Sequence, residues 1–178
     1  MTAARHAALD AGAAILPRRR AMLHIDEGDG WRDGLPDPDR DPQFYEGVPL
    51  RRLAAWFIDL AIVAALTVAA LLLLALPSLG FVFLASFALW GAVDFCYRAL
   101  TLTKASATLG MQVMGIELRD LAGDRLPAGL AIAHTALYLF CCLFVLLQIA
   151  SIAMMAGTRR GRSLPDAILG TTAINRPL

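Results

Sequence analysis

The chain has 178 residues, 58% of them hydrophobic, and a mean hydropathy of +0.60. That is one domain's length and far more apolar than a soluble average. Sixteen Lys and Arg against 15 Asp and Glu leave a formal charge of +1, which excludes bulk electrostatic binding of nucleic acid. The charges are segregated, most of them in the first 52 residues and in 98–127, with long apolar runs between.

Residues 1–50 predict a largely irregular cytoplasmic tail, because "GDGWRDGLPDPDRDPQFYEGVP" is rich in Pro, Gly and Asp. In "AALDAGAAILPRRR" the basic cluster follows the weakly apolar part, and Asp10 interrupts it, the reverse of a secretory signal. Aromatic and acidic character begins only after Met22, which makes Met22 a second candidate start and residues 1–21 a candidate non-native extension. Trp31, Phe44 and Tyr45 are the side chains expected to dock the tail on a membrane surface or on the domain.

The first apolar run, 53–76, has Asp59 and Thr67 as its only polar members, and about 20 such residues cross a bilayer core. Pro77-Ser78 breaks it. The second run, 79–97, contains Ser86 and Asp94, and the short uncharged connection predicts an antiparallel transmembrane helical hairpin. Residues 98–127 are polar again. There "MGIELRDLAGDRLP" alternates at Ile116 and Leu118 and then reaches turn chemistry at Ala122-Gly123-Asp124, which predicts a small cytoplasmic β-hairpin. The third run, 128–156, predicts another hydrophobic helix, and "TTAI" near the C-terminus one more short strand. The fold class expected is therefore an all-α integral membrane protein, a helical hairpin plus a third hydrophobic helix. Residues 51–175 form its membrane domain.

Arg40, Arg51 and Arg52 precede the first run, Arg98, Lys104, Arg119 and Arg125 follow the second, and the turn at 77–80 has no basic residue. The positive-inside rule places the tail and the 98–127 loop in the cytoplasm of a multi-pass inner-membrane protein. A single crossing is the simpler expectation for 128–156, although it puts Arg159, Arg160 and Arg162 outside. Two full crossings need about 40 residues. A re-entrant or interfacial pair of short helices would keep the end of the chain inside and let "TTAI" meet the strand at 114–118.

The candidate chemistry is ionic. Arg52 and Asp59 are two helical turns apart on one face, about 10 Å along the axis. Asp94 lies four residues before Arg98, at a depth matching Asp59 once the hairpin folds back. Arg52, Asp59, Asp94 and Arg98 thus predict a charge cluster. Ionisable groups within a membrane mark proton or cation sites, and paired carboxylates suit that use; the alternative is a structural lock between helices. His134, Tyr138, Cys141, Gln148 and Ser151 share a helical face and read better as interhelical hydrogen bonds than as a pathway lining. Ala61, Ala65 and Ala69 suit close helix approach, in the domain or between copies. Tyr97 is expected as an interfacial anchor and Trp90 as core. Cys96, Cys141 and Cys142 show no paired spacing and read as small apolar side chains, without disulfide or zinc. No P-loop, HExxH, G-x-S-x-G or dinucleotide turn appears, so neither an enzyme nor a cofactor is expected.

Three separated pieces, "RRLAAWFID", "ATLGMQVMGIELRDLAGDRLP" and "GRSLPDAILGTTAI", together resemble the RDD family of membrane proteins, named for an arginine and two aspartates. Arg52 and Asp59 match its first-helix arginine and aspartate. Thr108, Gly110, Gly115, Asp120 and Gly123 hold places of its middle motif, and Asp166, Gly170 and Thr171 those of its last. Leu109, Met111 and Pro165 stand where proline, lysine and histidine are usual. The resemblance covers roughly 50–175. It implies transport of an unidentified ligand, or the ion and proton exchange suggested for some members. Asp59 would then bind a cation or proton, Arg52 would tune it, and Asp94 or Asp166 would complete the site in a homo-oligomer. The other expectation is an accessory or assembly subunit of a membrane complex.

Overall fold

The structure is a computed structural model that describes residues 34–176. Residues 1–21, Met22 and Trp31 lie outside it. The compact unit begins at Leu35.

Helix α1 (Val48–Ala75) starts after Gly47 in the left-handed region, with Pro49 in its first turn, where a missing N–H costs nothing. Its 28 residues measure about 42 Å, longer than a bilayer core. A 3-10 turn at Phe81–Ala85 leads into α2 (Ser86–Ala105). This helix runs past Tyr97, where the apolar run ends. The Thr101 and Thr103 hydroxyls donate back to the Tyr97 and Ala99 carbonyls, so the polar residues there continue the helix instead of ending it. Ser106, with φ +52, stops it.

Next come a one-turn helix α3 (Leu109–Val113), strand β1 (Ile116–Asp120), and helices α4 (Ala128–Leu143), α5 (Val145–Gly157) and α6 (Leu164–Leu169). Strand β2 (Thr171–Asn175) closes the fold. The turn after β1 is where the sequence puts it. Asp120 accepts from the amides of Ala122 and Asp124, and Gly123 takes φ +77. The strand that pairs with β1 is not the hairpin neighbour but the "TTAI" segment weighed as its alternative partner. Only a single bridge, Arg119 with Arg125, forms across the turn, so the 114–127 β-hairpin is corrected. β1 pairs antiparallel with β2, from Ile116 opposite Asn175 to Asp120 opposite Thr171.

The 128–156 run is likewise not one straight helix. α4 and α5 bend by 118° at Phe144, and the chain returns to lay β2 on β1. The bend fits a broken span as well as a re-entrant pair. Asn175 also donates to the carbonyls of Gln43 and Glu46, tying both ends of the described chain to the same region. Leu35 and Tyr45 are buried there, with the Tyr45 hydroxyl donating to Pro36 O.

The apolar core lies at this end of the hairpin. It joins Val48 and Ala55 of α1, Leu102 of α2, Met111, Ile116, Leu118, Ala131 and Ala173. Farther out the helices are bare, with side chains such as Leu72, Leu73 and Phe87 exposed. Both are long and apolar enough to cross a membrane. On α1 the buried line is Ala55, Asp59, Val63 and Thr67, spaced by four. Ala61, Ala65 and Ala69 face outward, so the small-residue stripe does not serve packing within the domain.

Candidate functional site: two buried aspartates

Asp59 is 1% exposed and meets four donors. Its Oδ1 accepts from the Tyr97 hydroxyl at 2.6 Å and the Gly110 amide at 2.9 Å. Its Oδ2 accepts from the Thr108 hydroxyl at 2.7 Å, and Arg98 Nη1 lies 3.6 Å away. Thr108 is also the N-cap of α3, and the Tyr97 hydroxyl accepts the amide of Leu109. The carboxylate thus receives the first turn of α3 and seats it on α1. Gly110 makes this approach possible, because a Cβ there would lie 2.2 Å from Ala55 O and 2.8 Å from Asp59 Oδ1.

Arg98 links this centre to Asp94. Its Nε donates to Asp94 Oδ1 at 2.8 Å, and its guanidinium lies 4.4 Å from the centroid of the Tyr138 ring. The Tyr138 hydroxyl accepts from Trp56 Nε1 at 2.9 Å. One guanidinium therefore serves two carboxylates and an aromatic face.

The second centre is Asp166, which is fully buried. Its Oδ2 accepts from Arg52 Nη1 at 2.5 Å, the Ser163 hydroxyl at 2.7 Å and the Ser163 amide at 3.0 Å. Its Oδ1 accepts from the Thr171 hydroxyl at 2.9 Å, and His134 Nε2 lies 2.9 Å away. A carboxylate only accepts, so Nε2 carries the hydrogen. Ser163 and Asp166 form a capping box for α6, and Arg52 also reaches Gly161 O at 3.2 Å. Burial by itself pushes the Asp166 carboxyl up. The Arg52 guanidinium beside it and the His134 hydrogen bond outweigh that and hold it well below the usual carboxylate range.

The pairing therefore differs from the sequence expectation. Among the described residues no hydrogen bond or ion pair joins Arg52 to Asp59, because about 10 Å of helix separates them. Arg52 turns to Asp166, and Asp59 turns to α2 and α3. Asp94 and Arg98 do join Asp59. Tyr97 is buried at that centre and is no interfacial anchor. His134 and Ser151 each bond across helices, to Asp166 and to the amide of Leu164, as the interhelical reading of their stripe requires. Trp90 borders a cavity instead of filling core. The Ser163-x-x-Asp166 spacing was a readable capping signal; the roles of Thr171 and Tyr97 had no local signal.

A mostly helical domain with two helices fit to cross a membrane, fastened at one end by two buried arginine–aspartate centres, defines a membrane-type helical domain. The chain belongs to the RDD family, whose profile matches residues 47–170. That span contains Arg52, Asp59, Asp94, Arg98 and Asp166, the charged members of both centres. No curated protein and no solved structure matches the chain.

Proposed function

We propose that this is a multi-pass protein of the cell inner membrane in which the arginines and aspartates act as a structural lock. The lock holds a cytoplasmic cap (α3, β1, β2 and α6) onto the α1–α2 hairpin. The observation that carries this reading is saturation: donors from the protein meet both oxygens of Asp59 and both oxygens of Asp166. A bound cation needs a carboxylate lone pair left free; Asp166 accepts five hydrogen bonds, and Asp59 accepts three with Arg98 standing against its remaining site. The bare apolar faces of α1 and α2 support insertion, and the positive-inside rule orients the capped end toward the cytoplasm. The α4–α5 pair then enters from that side and returns to it. In this reading the protein is a non-enzymatic accessory or assembly subunit in the bilayer. Outward-facing Ala61, Ala65 and Ala69 favour contact with further copies or another membrane helix.

The second reading is transport of a small ligand or cation/proton exchange. Asp94 favours it, because only one of its oxygens is engaged. Flux assays on proteoliposomes separate the two readings. The lock predicts that Asp59→Asn lowers the melting temperature and protein level and that no common cation flows faster than through empty liposomes. Proton-coupled cation flux abolished by Asp59→Asn in a protein of unchanged melting temperature would reverse the choice.

A further inference from the structure

A cavity of about 600 Å³ lies between α1, α2 and α4, in the size range of sites for drug-sized molecules. Its walls are apolar and rich in aromatic rings: Trp56, Phe87, Trp90, Phe95, Tyr138 and Phe140. Its polar members include Asp94 and Arg98. Asp94 differs from the two saturated aspartates. It is 7% exposed, and Oδ1 is held by Arg98 Nε. Oδ2 has no hydrogen-bond partner among the described residues.

The local charge has a sign. Arg98 is shared by Asp94 in the cavity wall and Asp59 behind it, so the guanidinium only partly offsets the carboxylate charge beside the cavity. In low-dielectric surroundings such a charge attracts a counter-cation and repels an anion. Aromatic faces add to this, because their quadrupoles favour cations. Arg98 over the Tyr138 ring already places one cation on such a face here.

We infer that this cavity binds a monovalent organic cation with an aromatic or alkyl body, its charge directed to Asp94 and its body packed against the aromatic walls. The inference goes beyond the lock, which uses Asp59 and Asp166 and leaves Asp94 half engaged.

The test is equilibrium binding of tetraphenylphosphonium to the full chain in nanodiscs, with empty nanodiscs subtracted and tetraphenylborate as the probe of the same shape and opposite charge. The phosphonium is expected to bind at least about tenfold more tightly than the borate. Asp94→Asn is expected to weaken it by about tenfold or more, and Asp94→Glu to bring it back within about threefold of wild type. Equal binding of the two probes would overturn the inference, as would a folded Asp94→Asn protein that binds the phosphonium like wild type. Should Asp94→Asn fail to fold, Trp90→Ala decides together with the borate comparison. Weakening of the phosphonium by about fivefold supports the site, and unchanged binding refutes it.

Discussion

Replacing Gly110 by alanine tests the seat of α3 on α1. The added methyl would stand 2.2 Å from the backbone oxygen of Ala55 and 2.8 Å from Asp59 Oδ1. Backbone cannot rotate away as a flexible side chain can, so α3 must lift. Overpacking of this kind costs about 1–3 kcal/mol. Lifting also lengthens the Gly110 amide bond to Asp59, and a hydrogen bond to a charged group is worth about 1.5–3 kcal/mol. Gly110→Ala should therefore destabilise by about 3–6 kcal/mol. On soluble-protein scaling of about 2–4 °C per kcal/mol, the melting point falls by about 6–24 °C. The assay is thermal exposure of Cys141, which is buried, read with a thiol-reactive dye after exposed Cys96 and Cys142 have been blocked. Gly129→Ala is the control, because a Cβ there meets nothing within 4 Å and alanine favours helix by about 1 kcal/mol. A Gly110→Ala protein that melts with the control would refute the seating of α3 by Asp59.

Arg52→Gln should lower the melting temperature far more than Arg51→Gln in the same assay. Arg52 belongs to a buried pair whose rupture costs about 3–5 kcal/mol, whereas Arg51 is exposed and, among the described residues, reaches only Met114 O at 3.3 Å. The pH dependence of Asp166 has a definite sign. Its folded pKa is depressed, so its stabilisation is complete above the unfolded value of about 3.9 and is lost as pH falls below that toward the folded value. The gap in melting temperature between wild type and Asp166→Asn should therefore narrow below about pH 4; a gap that widened there would contradict the assignment. Reporter fusions at the C-terminus should score on the same side as fusions in the 121–125 turn, because β2 pairs with β1. Opposite sides would be incompatible with that ladder.

What could be read in the sequence followed from local physics. Asp59 stood out because an ionisable group in an apolar run is costly, and the turn at Asp120–Asp124 because its residue types allow few backbones. The hairpin of α1 and α2 followed from run length and the Pro77 break. Partner choice was not local. Arg52 and Asp59 share a helix face, yet Arg52 finds its carboxylate 114 residues away. Strand β1 resembled half of a β-hairpin because alternation shows that a strand exists and not what it pairs with. The stripe of His134 showed that it bonds across helices and not to what, since Asp166 reaches it only after the bend at Phe144. The end of α2 was misplaced because Thr101 and Thr103 satisfy their hydroxyls on the helix itself.

The two centres also impose an order on the making of the protein. Asp59 waits for Thr108 and Gly110, 49 and 51 residues downstream, while Arg52 waits 114 residues for Asp166. The contacts are nested, an inner clasp within an outer one. At about 5–20 residues per second, the ribosome takes about 6–23 s between Arg52 and Asp166. Through that interval α1 holds a cation at its entrance with no carboxylate to meet it. Truncation anywhere before Asp166 leaves Arg52 without its carboxylate and the outer clasp open.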